Sequence, residues 1–299
     1  MPKAMKNAFI LPGILAFVFV LAMMPSMLQE TGGTGADALR IVWSNGAQQL
    51  KEYVAGISTG ESFRFYTGKN EYSFWSEIGG YFGVSFAYIA GGAAIGTTLG
   101  ILIGLAFAYS RSEWWKRLIE ITGVLPDFVI IILLQFTIVQ IAKETGVVVF
   151  RVANVSTDQP PAVMLPLVSM IVIPALYMIR NVALQTRLTL TEDYIGNAKA
   201  RGLGKVYITF FHALPNVLPF IRADLHKFMG IMVGNLFIVE YFYNLRGVTK
   251  LLFADGFLGY YGYQYDLVVN GLLTLMAMYG LLYALLRLFL FGWEKAVAR

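Results

Sequence analysis

The chain has 299 residues, of which 57% are hydrophobic and only 14% charged, with a mean hydropathy of +0.63. Soluble domains carry about 25% charged residues, so the composition excludes an assembly of soluble domains and indicates an all-α polytopic membrane protein. The absence of cysteine removes disulfides, cysteine-based zinc sites and thiol catalysis.

A helix crossing a hydrocarbon core of about 30 Å needs about 20 mostly apolar residues. Six segments meet that requirement: 8–28, 81–109, 118–142, 161–180, 217–240 and 267–291. The first follows Lys3 and Lys6. Its apolar run is long for a signal peptide and lacks a small-residue cleavage site, so it is expected to remain as an anchor. Residues 29–80 are too polar to span. They are rich in Gly, Thr and aromatics (Trp43, Phe63, Phe65, Trp75) and long enough for structure of their own. The expected division is an anchor and external segment over 1–80, then a core over 81–299.

In the second span Gly92, Gly96, Gly100 and Gly104 recur every four residues, three overlapping GxxxG units. Such glycines let helices approach closely, either within this chain or against a partner subunit. In the third span Asp127 follows Pro126. A carboxyl at that position either pairs with a basic neighbour or lines a translocation path. Pro161, Pro166 and Pro174 punctuate the fourth span and are expected to kink it.

The polar stretch between the fourth and fifth spans, EDYIGNAKARGLGKVYITFFHALPN, runs from Glu192 to Asn216. It reads as two short helices joined at Gly202–Gly204, the second closing on Leu214-Pro215. Leu203, Val206, Tyr207, Phe210, Phe211 and Leu214 follow the helical period and predict one apolar face. Lys205, Thr209 and His212 fall on the other side. An element with an apolar face and a basic rim (Lys199, Arg201, Lys205) suits docking on another protein. Beyond the fifth span, residues 241–266 form an aromatic segment expected to be partly re-entrant or interfacial.

Orientation follows from Lys and Arg placement. With the N-terminus inside, fifteen of the 23 basic residues are cytoplasmic, including Arg111, Lys116, Arg117 and the cluster from Arg180 to Lys227. Both termini are then cytoplasmic. The net charge of +5 is a topology signal rather than a nucleic-acid footprint. Catalytic constellations are missing: there are two histidines, His212 and His226, and no HExxH. Between Gly60 and Gly68 lie seven residues where a phosphate loop needs four, and Asn70 stands where Ser or Thr would hold magnesium. No catalytic residue, metal site or cofactor is expected, and any energy for transport must come from a partner or an ion gradient.

The Glu192–Asn216 stretch resembles the EAA loop of ABC importer permeases, particularly those of the oligopeptide/dipeptide (peptide/nickel) type. The resemblance rests on Asp193-Tyr194, Ala198, Ala200, Gly202-Leu203 and His212-Ala213-Leu214 with Asn216, and on the Gly202-to-Pro215 spacing. Thr59–Ser62, Pro126-Asp127-Phe128, Glu240 and Val268–Gly271 extend it. Gly196 stands where the family's triplet has Glu, Asp127 replaces a neutral residue, and Asn244–Gly247 is a degraded Pro-Gly-Leu-Gly. The resemblance implies a type I importer fold in a bacterial or archaeal cytoplasmic membrane. It further implies a second permease subunit, two cytoplasmic ATPase subunits and an extracytoplasmic solute-binding protein. Asp193, Tyr194, Ala198, Lys199, Ala200, Arg201, Gly202, Leu203, His212, Leu214 and Pro215 would form the ATPase-coupling site. The alternatives are an ion-gradient-driven secondary transporter and a membrane scaffold that recruits a cytoplasmic partner.

Overall fold

The computed structural model describes residues 3–30, 39–110, 114, 117, 125–154, 162–257, 259–260 and 262–297. They form two compact units, Met1–Gly83 with Arg246–Ala277, and Val84–Leu245 with Met278–Arg299. The sequence puts a boundary after residue 80 and keeps everything downstream together. In the structure Arg246–Ala277, which holds most of the aromatic segment, gathers with the N-terminal residues.

In the first unit α1 (Lys3–Met27) packs against α2 (Trp43–Thr59). Gly46 permits the approach, since a Cβ there would lie 2.7 Å from Met27 Cγ. Strands β1 (Leu28–Glu30) and β2 (Leu39–Ile41) pair antiparallel. Strands β3 (Arg64–Thr67) and β4 (Asn70–Ser73) form a hairpin that turns at Gly68, φ +61°. These two strand pairs are the β-structure of the described residues, which are otherwise mostly helical. Phe65 is buried with Phe74, Leu251 and Leu267. Leu251 belongs to a π turn (Leu251–Phe257) that continues the short helix α10 (Val248–Lys250). Gln264 closes the arrangement, accepting from Tyr66 N–H and donating to Tyr66 C=O, each at 2.8 Å.

A buried polar latch ties α2 to the start of α11 (Tyr265–Val297). Tyr53 Oη donates to Asn270 Oδ1 at 2.8 Å, Asn270 Nδ2 donates to Ser62 C=O at 2.7 Å, and Ser62 Oγ donates to Tyr53 C=O at 2.6 Å. Two segments quoted for the family resemblance, Thr59–Ser62 and Val268–Gly271, therefore meet. The three side chains of the ring each have a partner, as burial requires.

The second unit takes α3 (Phe74–Ala108) from Val84 onward, then α4 (Asp127–Thr145), α5 (Met164–Thr189), α6 (Asp193–Ala200), α7 (Lys205–Ile208), α8 (Leu214–Ala223) and α9 (Leu225–Phe242). The end of α11 completes it. The glycine stripe of α3 faces α5: a Cβ on Gly92, Gly100 or Gly104 would fall 2.8, 2.4 or 2.7 Å from Met170, Met178 or Val182, respectively. Gly96 differs, meeting its nearest atom at 3.5 Å. Along α9, Asn235 donates to Ser169 C=O at 3.0 Å, and Tyr243 shares a 2.7 Å hydrogen bond with Ser169. Glu240, fully buried, accepts from Ser85 Oγ.

Four described helices, α3, α4, α5 and α11, are long and apolar enough to cross a membrane, and α1 contributes a shorter apolar stretch, Pro12–Met27. The expected fifth span requires correction. It is not one helix, because Asp224 interrupts it between α8 and α9, although Asp224 N–H to Phe220 C=O and Phe228 N–H to Asp224 C=O carry hydrogen bonding across. The fourth span also runs on to Thr189 rather than stopping near 180. Pro166 lies in its first turn, where no intrahelical N–H is lost, and Pro174 lies inside it. Pro161 and residues 118–124 of the third span lie outside the described residues. Pro126 is the N-cap of α4 and Asp127 its first residue, so this pair opens the described helix instead of sitting within it.

Candidate functional site

The polar stretch folds as an elbow. The first arm, α6, begins with Asp193 and Tyr194, both exposed. It ends in a Schellman motif: Gly202 N–H bonds to Lys199 C=O at 2.9 Å and Leu203 N–H to Ala198 C=O at 3.3 Å. That geometry places Gly202 at φ +80°, a region disfavoured for any residue with a Cβ. Leu203 then packs on Ile195, Ala198 and Ile208, a plug that holds the two arms together. Lys199, Ala200, Arg201 and Lys205 remain on the outside. Partial desolvation of the Tyr194 phenol, then the Glu192 carboxylate, pushes it above its ordinary value.

The second arm departs from expectation. It does not close at Leu214-Pro215. Instead α7 passes through a π turn, Thr209–Ala213, directly into α8. Leu214 N–H reaches back five residues to Thr209 C=O, and Pro215, next in the chain, has no N–H to give Phe211 four residues back. A π turn takes one residue more than an α turn, so the residues beyond it are rotated by about 100°. The single apolar stripe is split as a result. Val206 and Tyr207 point outward at 73% and 40% exposure, Phe210 and Phe211 are half-buried, and Leu214 is fully buried. Thr209, expected on the polar rim, is buried and bonded to Tyr109 Oη at 2.7 Å and to Lys205 C=O at 2.8 Å. His212 is half-buried with its ring edge-on to Tyr207, whose other neighbour is Phe211 at 4.9 Å.

The elbow is anchored by residues that no local pattern reveals. Arg187 donates to the carbonyls of Phe107 and Ala108 at 3.3 and 3.4 Å and lies over the Phe107 ring. With the Tyr109–Thr209 contact, this fastens the end of α3 to α5 and to the second arm. Asp127 stands apart from the elbow, in a cleft shared with Tyr177 and Arg180. Tyr194, Val206 and Tyr207 are exposed on the elbow, and so are Lys199, Arg201 and Lys205, so its surface offers both aromatic or apolar and cationic side chains. Interfaces are commonly anchored by aromatic residues within a polar rim.

A model of the family described as "Binding-protein-dependent transport system inner membrane component" matches residues 96–299. The chain belongs to this family of multi-pass membrane permease components. It is 26% identical over 158 residues to the glutathione transport system permease protein GsiC of Salmonella typhimurium (strain LT2), covering 51% of this chain and 49% of the relative. It is also 26% identical over 180 residues to a Brucella abortus (strain 2308) protein provisionally named a peptide transport system permease, covering 56% and 55%. The chain thus spans about half the length of the curated relatives it matches.

Proposed function

We propose that this chain is the permease subunit of an ATP-binding cassette importer for peptides or related small solutes. Paired with a second permease subunit in a heterodimer, it forms half of the translocation path. An extracytoplasmic solute-binding protein delivers the solute, and two cytoplasmic ATPase subunits drive the cycle. The observation that carries this reading is the elbow, two arms locked by a Schellman glycine and an apolar plug, with Tyr194, Val206 and Tyr207 outward.

An element so built transmits force as a rigid body. Its arms cannot hinge without breaking the Ile195–Ala198–Ile208 packing, and the second arm continues through α8 to Asp224. Displacement of the elbow by a closing ATPase pair therefore moves Asp224 against α5. Coupling falls to Asp193, Tyr194, Lys199, Ala200, Arg201 and Gly202 at the surface. Ala198, Leu203, His212, Leu214 and Pro215 shape the element beneath them. The glycines of α3 pack its helix on α5, and Asp127 lines a cleft beside the path.

Two measurements test the reading. An ATPase subunit should co-purify with the chain in mild detergent and be lost on Val206→Glu with Tyr207→Ala. Gly202→Val should leave membrane insertion intact while ATP hydrolysis proceeds without uptake. Unchanged transport in Gly202→Val would refute coupling through the elbow. Uptake that persists without an ATPase but follows an imposed ion gradient would establish the secondary-transporter alternative instead.

A further inference from the structure

Where α8 gives way to α9, Asp224 meets the middle of α5 in a polar cluster of the second unit. Tyr177 stands thirteen residues from the start of α5 and twelve from its end. Its hydroxyl donates to Asp224 Oδ2, and Asn181 Nδ2, one turn on, donates to the same oxygen. The other oxygen, Oδ1, has Lys227 Nζ at 3.8 Å, beyond hydrogen-bonding distance. The Lys227 side chain is 76% exposed. A cleft of about 270 Å³ opens beside this group, with Asn181, Gln185, Phe220, Asp224 and Lys227 in its walls. The register of α11 gives a similar level. His226 stacks on Tyr283 at 4.7 Å and bonds through Nδ1 to Tyr279 Oη at 2.9 Å, and both tyrosines lie near the middle of that helix.

A carboxylate or an ammonium inside a span costs about 2.5–3.5 kcal/mol against lipid on insertion scales. The open side of this cleft therefore faces water or protein. Two donors on Oδ2 fix the carboxylate and leave Oδ1 toward the opening. A carboxylate with one uncommitted oxygen, beside a loosely held ammonium on a flexible stem, complements a solute that carries both charges. The solute's ammonium takes Oδ1, and Lys227, displaced, meets the solute's carboxylate in a charge-assisted hydrogen bond.

The geometry points to a solute site in the translocation path, selective for zwitterions with a free amino group. Asp224 reads the ammonium, Lys227 reads the carboxylate, and Tyr177 and Asn181 position Asp224. This rests on the permease reading above.

The chain contains no cysteine, so Gln185→Cys places a single thiol in the cleft wall and leaves Asp224 and Lys227 untouched. The assembled importer in membrane vesicles is treated with a charged, water-soluble thiol reagent, and labelling is read on this chain. Labelling should occur. Alanyl-alanine should slow it, N-acetyl-alanyl-alanine should not, and Asp224→Asn should weaken the protection by at least about tenfold, as expected for one charge-assisted hydrogen bond. Lys227→Gln, at an exposed position, should erase the advantage of alanyl-alanine over its C-terminal amide. That variant also keeps the test informative if Asp224→Asn fails to assemble. A Gln185→Cys chain that takes up no label overturns the aqueous cleft, and labelling that neither peptide changes overturns the solute site. Protection that survives both substitutions overturns the residue assignments. Retention of the ATPase in every sample separates these failures from failure of the permease reading, which would show as no ATPase bound to the unsubstituted chain.

Discussion

The latch around Gly56 and the elbow around Gly202 both turn on a glycine, for opposite physical reasons. A Cβ on Gly56 would lie 2.3 Å from Ser62 Oγ, so that position needs space and has ordinary backbone. Gly202 has open space around it and needs its dihedral, φ +80°. The latch is held by contacts between residues as far as 217 apart, all buried. The elbow's own fastenings lie between Leu190 and Ile208 and leave most of its surface exposed. One region is made stable by the fold around it. The two arms of the other are held to each other by contacts local in sequence.

The largest effect should come from breaking the latch. Asn270→Leu leaves the Tyr53 hydroxyl and the Ser62 carbonyl buried without partners. The cost is about 2–5 kcal/mol, read as a lower unfolding midpoint of the detergent-solubilised chain. A variant as stable as the parent would show the ring to be incidental. Gly56→Ala should cost about 1–3 kcal/mol by overpacking, and Ser62→Ala in the same chain should restore part of it, because the closest clash is with the hydroxyl. The α3 stripe sharpens this rule. Gly100→Ala, facing Met178 at 2.4 Å, should destabilise by a similar amount, while Gly96→Ala, with 3.5 Å of room, should be nearly neutral.

What is legible in the sequence follows the same divide. The elbow's first arm and its glycine joint are local, and local periodicity and turn chemistry give them. Periodicity misplaces the apolar stripe across the π turn because it assumes an unbroken 3.6-residue helix, and Pro215 reads as an ending where it instead accompanies a widened turn. The latch, the Arg187 staple and the Tyr177–Asn181–Asp224 cluster join residues from different helices, so no window of sequence contains them. Asp224 itself carries a signal, a carboxyl inside an apolar stretch. Its neighbours Arg222 and Lys227 mask that signal by drawing it into a basic cytoplasmic cluster. Glycines at equal spacing in α3 likewise hide unequal room, since spacing specifies a face and only the opposing helix decides how closely each position is approached.

At the elbow the dihedral requirement makes a graded prediction. Gly202→Ala should cost about 1 kcal/mol, the ordinary penalty of the left-handed region. Gly202→Asn should cost less, because Asn tolerates that conformation. Coupling of ATP hydrolysis to uptake should follow the order Gly, Asn, Ala, Val. A reversed order would mean that side-chain volume, not backbone conformation, limits the joint.

The smallest effect separates the elbow's shape from its chemistry. Gly196 lies on the exposed side of α6 with nothing within 4 Å of an added Cβ, and its φ is not positive. Nothing in the fold asks for glycine there. Gly196→Ala should therefore firm the arm by about 0.5–1 kcal/mol through helix propensity alone, with unfolding and ATPase retention both slightly improved. Gly196→Glu adds a charge at the same open position, where the resembled EAA pattern carries one. A similar gain in stability with a changed affinity for the ATPase would mark Gly196 as part of the docking surface. Equal affinity in the Ala and Glu variants would confine docking to Tyr194, Val206, Tyr207 and the exposed basic residues, leaving Gly196 outside the docking surface.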